Sequence, residues 1–582
     1  MKNLSDGEIP VFSREFLGSE SSITRIGSGA FGGKASGLIQ VNRKVLSELA
    51  ASEFPEFEVN VPTFTVLATD VFDEFMAQND LYGIALSDES NDRISHAFQQ
   101  AVLPALFTGD LRSLISEVRT PLAIRSSSLL EDDLDHPFAG VYGTKMIPNL
   151  QADIETRFRK FQQAIKYVYA SMFFRSAKEY IRTTGREITE EKMAVIVQEM
   201  VGLKHDDRFY PHVSGVARSY NYYPSGHGKP EEGVVNLALG LGKQIVDGGL
   251  SWNYTPTYPQ APPPYNNIGD QLKNSQTEFW CVHMGTPPIP DPAKETEYMV
   301  RHGLKESEYD GTLTHLASVY DPRSDRLRPG IFGEGPRALD FAPILQMDAW
   351  PLNDLVKRLL ALAEAAVGCP VEVEFAVNLD LPEGKPGRFG FLQMRPMMIS
   401  EEEVTVSPEE MAAPTSIVAS MNVMGNGVRD DIRDVVFLKP EEFEAKHTSA
   451  MAREIESINN ALVKEGLPYL LIGFGRWGSS DPWLGVPVEW AQIGGARVIV
   501  EATLPQMNPD LSQGSHFFHN LISFQVQYLS VKHTAEHDIA WEWLDGLPNL
   551  QETKFVKHVR LEEPLTIKVD GRHGRGVIQR SE

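Results

Sequence analysis

In the segment VEVEFAV (371–377) apolar and acidic residues alternate from Val371 to Phe375, a pattern that fits a β-strand and no helix. Successive strand side chains point to opposite faces, so Val371, Val373, Phe375 and Val377 share one face while Glu372 and Glu374 share the other. Further on, FGFLQM (389–394) runs into Arg395, which places Gln393 and Arg395 on a common face as well. The connecting NLDLPEGKPGR is rich in Gly and Pro, as a hairpin loop should be. Pairing the two strands gathers Glu372, Glu374, Gln393 and Arg395 on one side of a sheet. A solvated surface would account for such a face. Buried, it demands compensation, because an unpaired carboxylate is costly to desolvate, and clusters of this kind tend to hold a cation or a phosphate. Two carboxylates and an amide oxygen suit Mg²⁺, which leaves the arginine for phosphate oxygens.

A chain of 582 residues exceeds one ordinary core, and at roughly 150 residues per domain it divides into about three or four units. With 42% hydrophobic and 23% charged residues its composition is that of a soluble globular protein. No window approaches ~18 continuous apolar residues, and the polar stretch from Met1 to Phe16 lacks the apolar core of a signal peptide. No membrane span is expected. Cys281 and Cys369 alone provide neither a disulfide framework nor a cysteine zinc site, so a cytoplasmic compartment fits. The formal charge of −25 argues against nucleic acid as a partner, since that needs a positive surface, but it leaves nucleotides open.

Along the chain, Leu38, Val41, Val45, Leu46 and Leu49 recur at helical spacing in 35–49, directly after a glycine-rich segment. Ile154, Phe158, Phe161, Ile165, Val168 and Met172 mark a long core helix ending near Gly185. Strand signals follow at 193–200 and 213–223, an exposed loop at 254–267, and a helix at roughly 352–366. The acidic, aperiodic SEEEVTVSPEEMAAP (400–414) reads as a linker. Beyond it, a helix at 452–466 followed by YLLIGF and ARVIVEA points to α/β layering.

Two loops are candidates for phosphate binding, against the plainer reading of each as an ordinary loop. In RIGSGAFGGKASGL (25–38), Gly27, Gly29 and Gly32 satisfy GxGxxG, but a poor preceding strand argues against a Rossmann loop and Ala35 after Lys34 against a Walker loop. Either the segment is a turn with a surface lysine, or its glycines let the backbone approach an anion while Lys34 adds charge at a helix start. In PLAIRSSSLLEDDLDHPFAGVYGT (121–144), Arg125 closes an apolar strand, Ser126, Ser127 and Ser128 supply donors, and Phe138, Ala139, Gly140, Gly143 and Thr144 form a second flexible donor loop.

Taken in order, these segments resemble the N-terminal ATP-grasp-type nucleotide-binding domain of the pyruvate phosphate dikinase and phosphoenolpyruvate synthase family. GGKASGL is similar to that family's GGKG loop, AIRSSSLLEDD to its V-R-S-S-x-x-x-E-D segment, FAGVYGT to its F-A-G-x-x-x-T lid and VIVQEMV (195–201) to its hinge strand. LALGLGKQIVDGG (237–249) is similar to its G-L-G-E-x-V-V-x-G loop, and VEVEF with FLQMRP to its D-I-E-W and L-Q-x-R-P pair. Glu372 stands where the family usually has Asp, and Lys243 where it usually has Glu.

The resemblance implies an α/β (α+β) protein with an ATP-grasp-type two-lobed nucleotide-binding domain and a smaller C-terminal α/β domain. The expected divisions are an extension at 1–20, lobes at 21–190 and 191–400, a linker at 401–414 and a C-terminal domain at 415–582. It implies ATP and Mg²⁺ as cofactors. Lys34 and Arg125, with Gly32, Gly33, Ser126, Gly140 and Thr144, would contact the nucleotide's phosphates. Gln198, Met200 and Val201 would line the adenine pocket, Glu374 and Gln393 would hold Mg²⁺, and Arg395 would face the terminal phosphates; Lys34, Arg125 and Arg395 are the catalytic candidates. The family's phosphohistidine motif and TIM barrel are not recognisable after residue 400, the remaining length being too short for a barrel of about 250 residues. His516 in QGSHFFHNL is a possible phosphoacceptor, with a capped helix start as the alternative. The expected activity is ATP-dependent phosphotransfer to a small molecule or to a partner protein's histidine. A nucleotide sensor or assembly subunit and an ATP-grasp ligase are the alternatives. The segment 473–490, with Arg476 among glycines, serines and tryptophans, suggests a further binding surface.

Overall fold

The alternation at 371–377 pairs as its pattern requires. In a computed structural model of the chain, Val371–Asn378 and Gly387–Pro396 form an antiparallel hairpin with Glu372 opposite Arg395 and Glu374 opposite Gln393. Phe375 then pairs with Phe391, so a bulge leaves Leu392 without a cross-strand partner. The structure describes residues 9–12, 22–131, 140–183, 186–222, 228–261, 267–379, 381, 384–397, 404–479, 481–509, 521, 526–533, 539–571 and 573–581.

The hairpin's apolar face, Val371, Val373, Phe375 and Val377, joins one core with Leu352, Leu355, Val356, Leu359, Leu360 and Ala363. Those six residues form the inward stripe of the helix Leu352–Val367, which ends where Gly368 turns left-handed at φ 80°. Fully burying each such aliphatic side chain contributes about 1.5–3 kcal/mol, and this stripe fixes which face of the hairpin stays polar.

One compact unit comprises residues 1–219, 235–244 and 250–396 and contains two principal sheets. The first runs, in spatial order, Ile23–Ile26, Phe64–Leu67, Met193–Glu199, Leu122–Ser128 and Thr144–Ile147. The 193–199 strand thus lies in this sheet, antiparallel to both of its neighbours. The second runs Trp252–Tyr254, Val234–Ala238, Val213–Arg218, the two hairpin strands and Phe57–Asn60. Helix Gly32–Gln40 packs against the Leu122–Ser128 strand and the second hairpin strand. It continues through a π-helical turn, Val41–Val45, into a 3₁₀ turn, Leu46–Glu48.

The helix expected from 154 to about 185 is broken into Ile154–Ser171 and Arg175–Thr183. Ser171 explains the break: its hydroxyl donates to the Val168 carbonyl at 2.7 Å and accepts from the Gly143 amide at 2.9 Å, while Phe173 and Phe174 form tight i,i+3 turns. At the N-terminus, Asp153 caps the amide of Thr156 at 2.7 Å.

The other compact unit comprises residues 220–234, 245–249 and 397–582. Its sheet carries four adjacent parallel strands, Asn426–Leu438, Tyr469–Phe474, Ala496–Ala502 and Gln527–Val531, extended by antiparallel strands including Val556–Asp570. Helix Thr448–Glu465 connects the first two and stops at Gly466, φ 69°. Within 400–414, Ser407 and Glu410 form a capping box on the short helix Pro408–Met411. In the segment 473–490, Arg476 is buried and donates to the Gly248 carbonyl at 3.0 Å, and Trp477 is buried with its indole on the Val500 carbonyl at 3.2 Å. The protein is therefore a mixed α/β chain with several sheets. Among the described residues no helix is long and apolar enough to cross a membrane.

Candidate functional site

Arg125 lies near the middle of its strand and reaches from the first sheet to the hairpin of the second. Its Nη1 donates to Gln198 Oε1 at 3.1 Å and to the Leu392 carbonyl at 2.7 Å, and its Nη2 donates to Gln393 Oε1 at 2.8 Å. Glu374 Oε2 lies 3.8 Å from the same Nη2. The bulge presents the Leu392 carbonyl, and antiparallel register places Glu374 beside Gln393. One guanidinium thus meets an amide and a carboxylate from both hairpin strands.

Behind this contact, charges alternate across three adjacent strands. Glu372 faces Arg395 on one neighbour and Arg218 on the other. Its carboxylate receives Arg218 Nε at 2.7 Å and lies 3.7 Å from Arg395 Nη1, and it is fully buried. Arg395 donates from Nη2 to Glu374 Oε1 at 2.7 Å. The run Arg125, Glu374, Arg395, Glu372, Arg218 therefore sets each carboxylate between two arginines, the compensation that a buried carboxylate requires. Of the two carboxylates in the sequence pattern, Glu372 serves the arginines, whereas Glu374 is part-exposed and borders Gln393.

A second centre forms around Lys34. Strand alternation sends Ser126 away from Arg125, and Lys34 Nζ meets Ser126 Oγ at 3.1 Å and Glu131 Oε1 at 2.7 Å. Glu131 also accepts from Ser126 Oγ at 2.9 Å and from the Ser128 amide at 2.9 Å, while its own amide donates to Ser128 Oγ at 3.2 Å. Ser127 Oγ donates to the Phe31 carbonyl at 2.7 Å and accepts from the Ala35 amide at 3.0 Å. Gly32 has φ 75°, and a Cβ there would sit 1.8 Å from the Ser127 carbonyl oxygen, so only glycine allows the loop this close to the serine strand.

Glu191 buttresses the same segment by accepting from the Leu129 amide at 3.0 Å and the Tyr142 hydroxyl at 3.1 Å. Burial, with Glu131 nearby adding to it, raises its carboxyl to about 7 despite these donors. The native state then keeps this proton when the unfolded chain has released it. Stability is expected to fall as pH rises from about 4.5 to about 7, by on the order of 3 kcal/mol from this group. Urea unfolding at pH 5 and pH 7 checks it: Glu191→Gln should flatten the slope over that window, and an unchanged slope would refute the assignment.

Gly33 is buried in the first turn of the Gly32–Gln40 helix, Thr144 pairs with Arg125 on the adjacent strand, and Gly140 is exposed with φ 67°. Gln198 turns towards Arg125, whereas Met200 donates its amide to the Pro121 carbonyl at 3.0 Å and Val201 packs against Gly390. His516, with Phe138 and Ala139, lies outside the described residues. Glu131 and Arg218 were not singled out from the sequence. Glu131 had a local signal, the S-x-x-E spacing from Ser128 that makes a capping box; Arg218 had none.

Among the described residues, no group of three or more His, Cys, Asp and Glu side chains forms a metal cluster. Glu374 and Gln393 nevertheless offer a carboxylate and an amide oxygen that converge on one nitrogen of Arg125. This hard-oxygen donor set fits Mg²⁺, which is commonly held by one or two carboxylates plus phosphate oxygens from a ligand.

Residues 28–416 match the family described as Pyruvate phosphate dikinase, AMP/ATP-binding domain. The chain is also similar to the rifampicin phosphotransferase of Streptomyces sviceus, at 26% identity over 209 residues. That match covers 33% of this chain and spans 22% of the relative's length.

Proposed function

We propose that the chain, which belongs to the pyruvate phosphate dikinase AMP/ATP-binding domain family, is an ATP- and Mg²⁺-dependent phosphotransferase acting on a small-molecule acceptor or on a histidine of a partner protein. The observation that carries this reading is Arg125 meeting Gln393 and Glu374 across the two sheets, with Arg395 on the same carboxylate. An ATP-grasp-type arrangement places a nucleotide between such sheets. The family's AMP/ATP-binding description supports a nucleotide as donor, and the similarity to a rifampicin phosphotransferase supports phosphate transfer to an organic acceptor.

In this reading Lys34, Arg125 and Ser126, with the Gly32, Gly33, Gly140 and Thr144 backbone, bind the nucleotide's phosphates. Gln198, Met200 and Val201 border the adenine, and Glu374 with Gln393 holds Mg²⁺. When bound, the metal would neutralise phosphate charge and orient it for in-line displacement. Arg125 and Arg395 already carry their charge and have carboxylate partners; exchanging those for phosphate oxygens keeps their donors paired. As negative charge moves onto the leaving group, both arginines would stabilise it without reorganising the site.

The test is calorimetry with ATP, with and without Mg²⁺. Glu374→Gln removes charge while preserving shape; it is expected to weaken metal-dependent ATP binding at least about tenfold, and to lower the thermal midpoint because Arg395 loses its nearest carboxylate, while the protein still folds. Wild-type protein without ATP affinity at millimolar concentration would refute the reading. Product analysis then separates the chemistries: AMP with phosphate marks a dikinase, ADP a simple kinase.

A further inference from the structure

Arg218 is more than nine-tenths buried, yet it is incompletely paired. A guanidinium carries five N–H donors in a fixed fork. Its Nε is on Glu372 at 2.7 Å and its Nη1 makes a long contact of 3.4 Å to Asn236 Oδ1. Its Nη2 has no hydrogen-bond partner among the described residues. A buried donor on a charged group is costly to leave unmade, and native proteins pair nearly all of them, so Nη2 calls for a partner that the described residues do not supply, either water or a ligand.

Register gives that partner a location and a sign. Arg218 stands opposite Glu372 on the polar face that carries Glu374, Gln393 and Arg395, one strand from the hairpin. Among the described residues, three guanidiniums, from Arg125, Arg218 and Arg395, meet two carboxylates, from Glu372 and Glu374, in this run. The face has surplus positive charge even before a divalent cation joins it. An anion with several oxygens is the complement, and a planar guanidinium suits phosphate oxygens best.

We propose that Arg218 is a further phosphate-binding residue of this site, its Nη2 donating to an oxygen of a multiply charged phosphoryl group. The inference rests on the phosphotransferase reading above but extends its phosphate-binding face by one strand. Glu372 then has a defined part, holding Arg218 and Arg395 side by side as a pair of anion donors.

Calorimetry on the full chain with Mg²⁺ tests it, using AMP, ATP and inorganic phosphate as probes against wild type, Arg218→Met and Arg218→Lys. The lysine variant keeps a charge beside Glu372 but lacks the fork, so it covers the case in which the methionine variant does not fold. Unchanged AMP affinity reports an intact site. The expected result is ATP affinity lowered at least about tenfold in either variant, with AMP affinity within about twofold of wild type. A loss confined to inorganic phosphate would also support the proposal and assign the residue to a separate phosphate rather than to the nucleotide's terminal one. If ATP and inorganic phosphate both bind as in wild type, Arg218 is a structural counter-ion and the inference is wrong while the phosphotransferase reading stands. If wild type binds no nucleotide and no phosphate, both fall together.

Discussion

Arg395→Ala is expected to lower turnover by about 10²- to 10³-fold while changing ATP affinity by less than about tenfold. Arg395 is almost fully buried and is held by Glu374 at 2.7 Å and Glu372 at 3.7 Å, so its guanidinium is positioned before any ligand arrives. A preorganised cation of this kind acts mainly where charge develops, and its loss appears in kcat more than in binding. Arg125→Ala should follow the same split, with a further loss because Arg125 also orders Gln198 and the Leu392 carbonyl. Glu372 keeps Arg218 in the Arg395 variant, so the fold should survive, and a thermal melt verifies that. Arg395→Lys restores charge without the fork and should recover only part of the rate. If both alanine variants lose ATP affinity and rate in equal proportion, the chain senses nucleotide rather than turning it over.

Gly32→Ala is expected to destabilise the first compact unit by on the order of 4 kcal/mol or more, among the larger effects that a single methyl group can have. The obstacle is a backbone atom: the new Cβ would lie 1.8 Å from the Ser127 carbonyl oxygen, in a residue whose φ of 75° already disfavours a side chain. Neither can relax without moving the Gly32–Gln40 helix off the serine strand. That shift would also pull Lys34 from Ser126 and Glu131. Chemical denaturation measures the loss, and a change below about 1 kcal/mol would mean that the loop yields more easily than its packing implies. Glu131→Gln should cost about 3–5 kcal/mol by a different route, by leaving Lys34 buried without its carboxylate.

The hairpin was legible because strand periodicity is local: two segments of alternating pattern and a Gly-Pro loop suffice to assign faces and pairing. Strand register then placed Glu374 beside Gln393 without further information. What alternation alone could not supply was how the charges on that face would share partners. Glu372 reads as a cation ligand equal to Glu374 until Arg218, 154 positions away in the chain, is seen against it. Arg125 similarly meets Gln393 across a separation of 268 positions. The break after Ser171 has no signature in the sequence because the apolar spacing runs on through it; the cause is a single hydroxyl engaged by Gly143 from another part of the chain. Lys34 was legible as a cation near the serines, but its closure on Glu131 depends on Gly32 bringing two chain segments into contact.

The row Arg218, Glu372, Arg395 also bears on how a chain of this kind can drift over generations. Losing Arg218 alone leaves a fully buried carboxylate with one distant counter-ion, and losing Glu372 alone sets two buried guanidiniums against each other. Either single step is strongly destabilising, whereas replacing a buried ion pair together by apolar residues of similar volume is often neutral. Positions 218 and 372 should therefore be inherited as a unit, changing in concert or not at all. Descendants that lost the pair would keep the fold and the hairpin, and under the proposed role of Arg218 they would differ in how many oxygens a bound anion can offer.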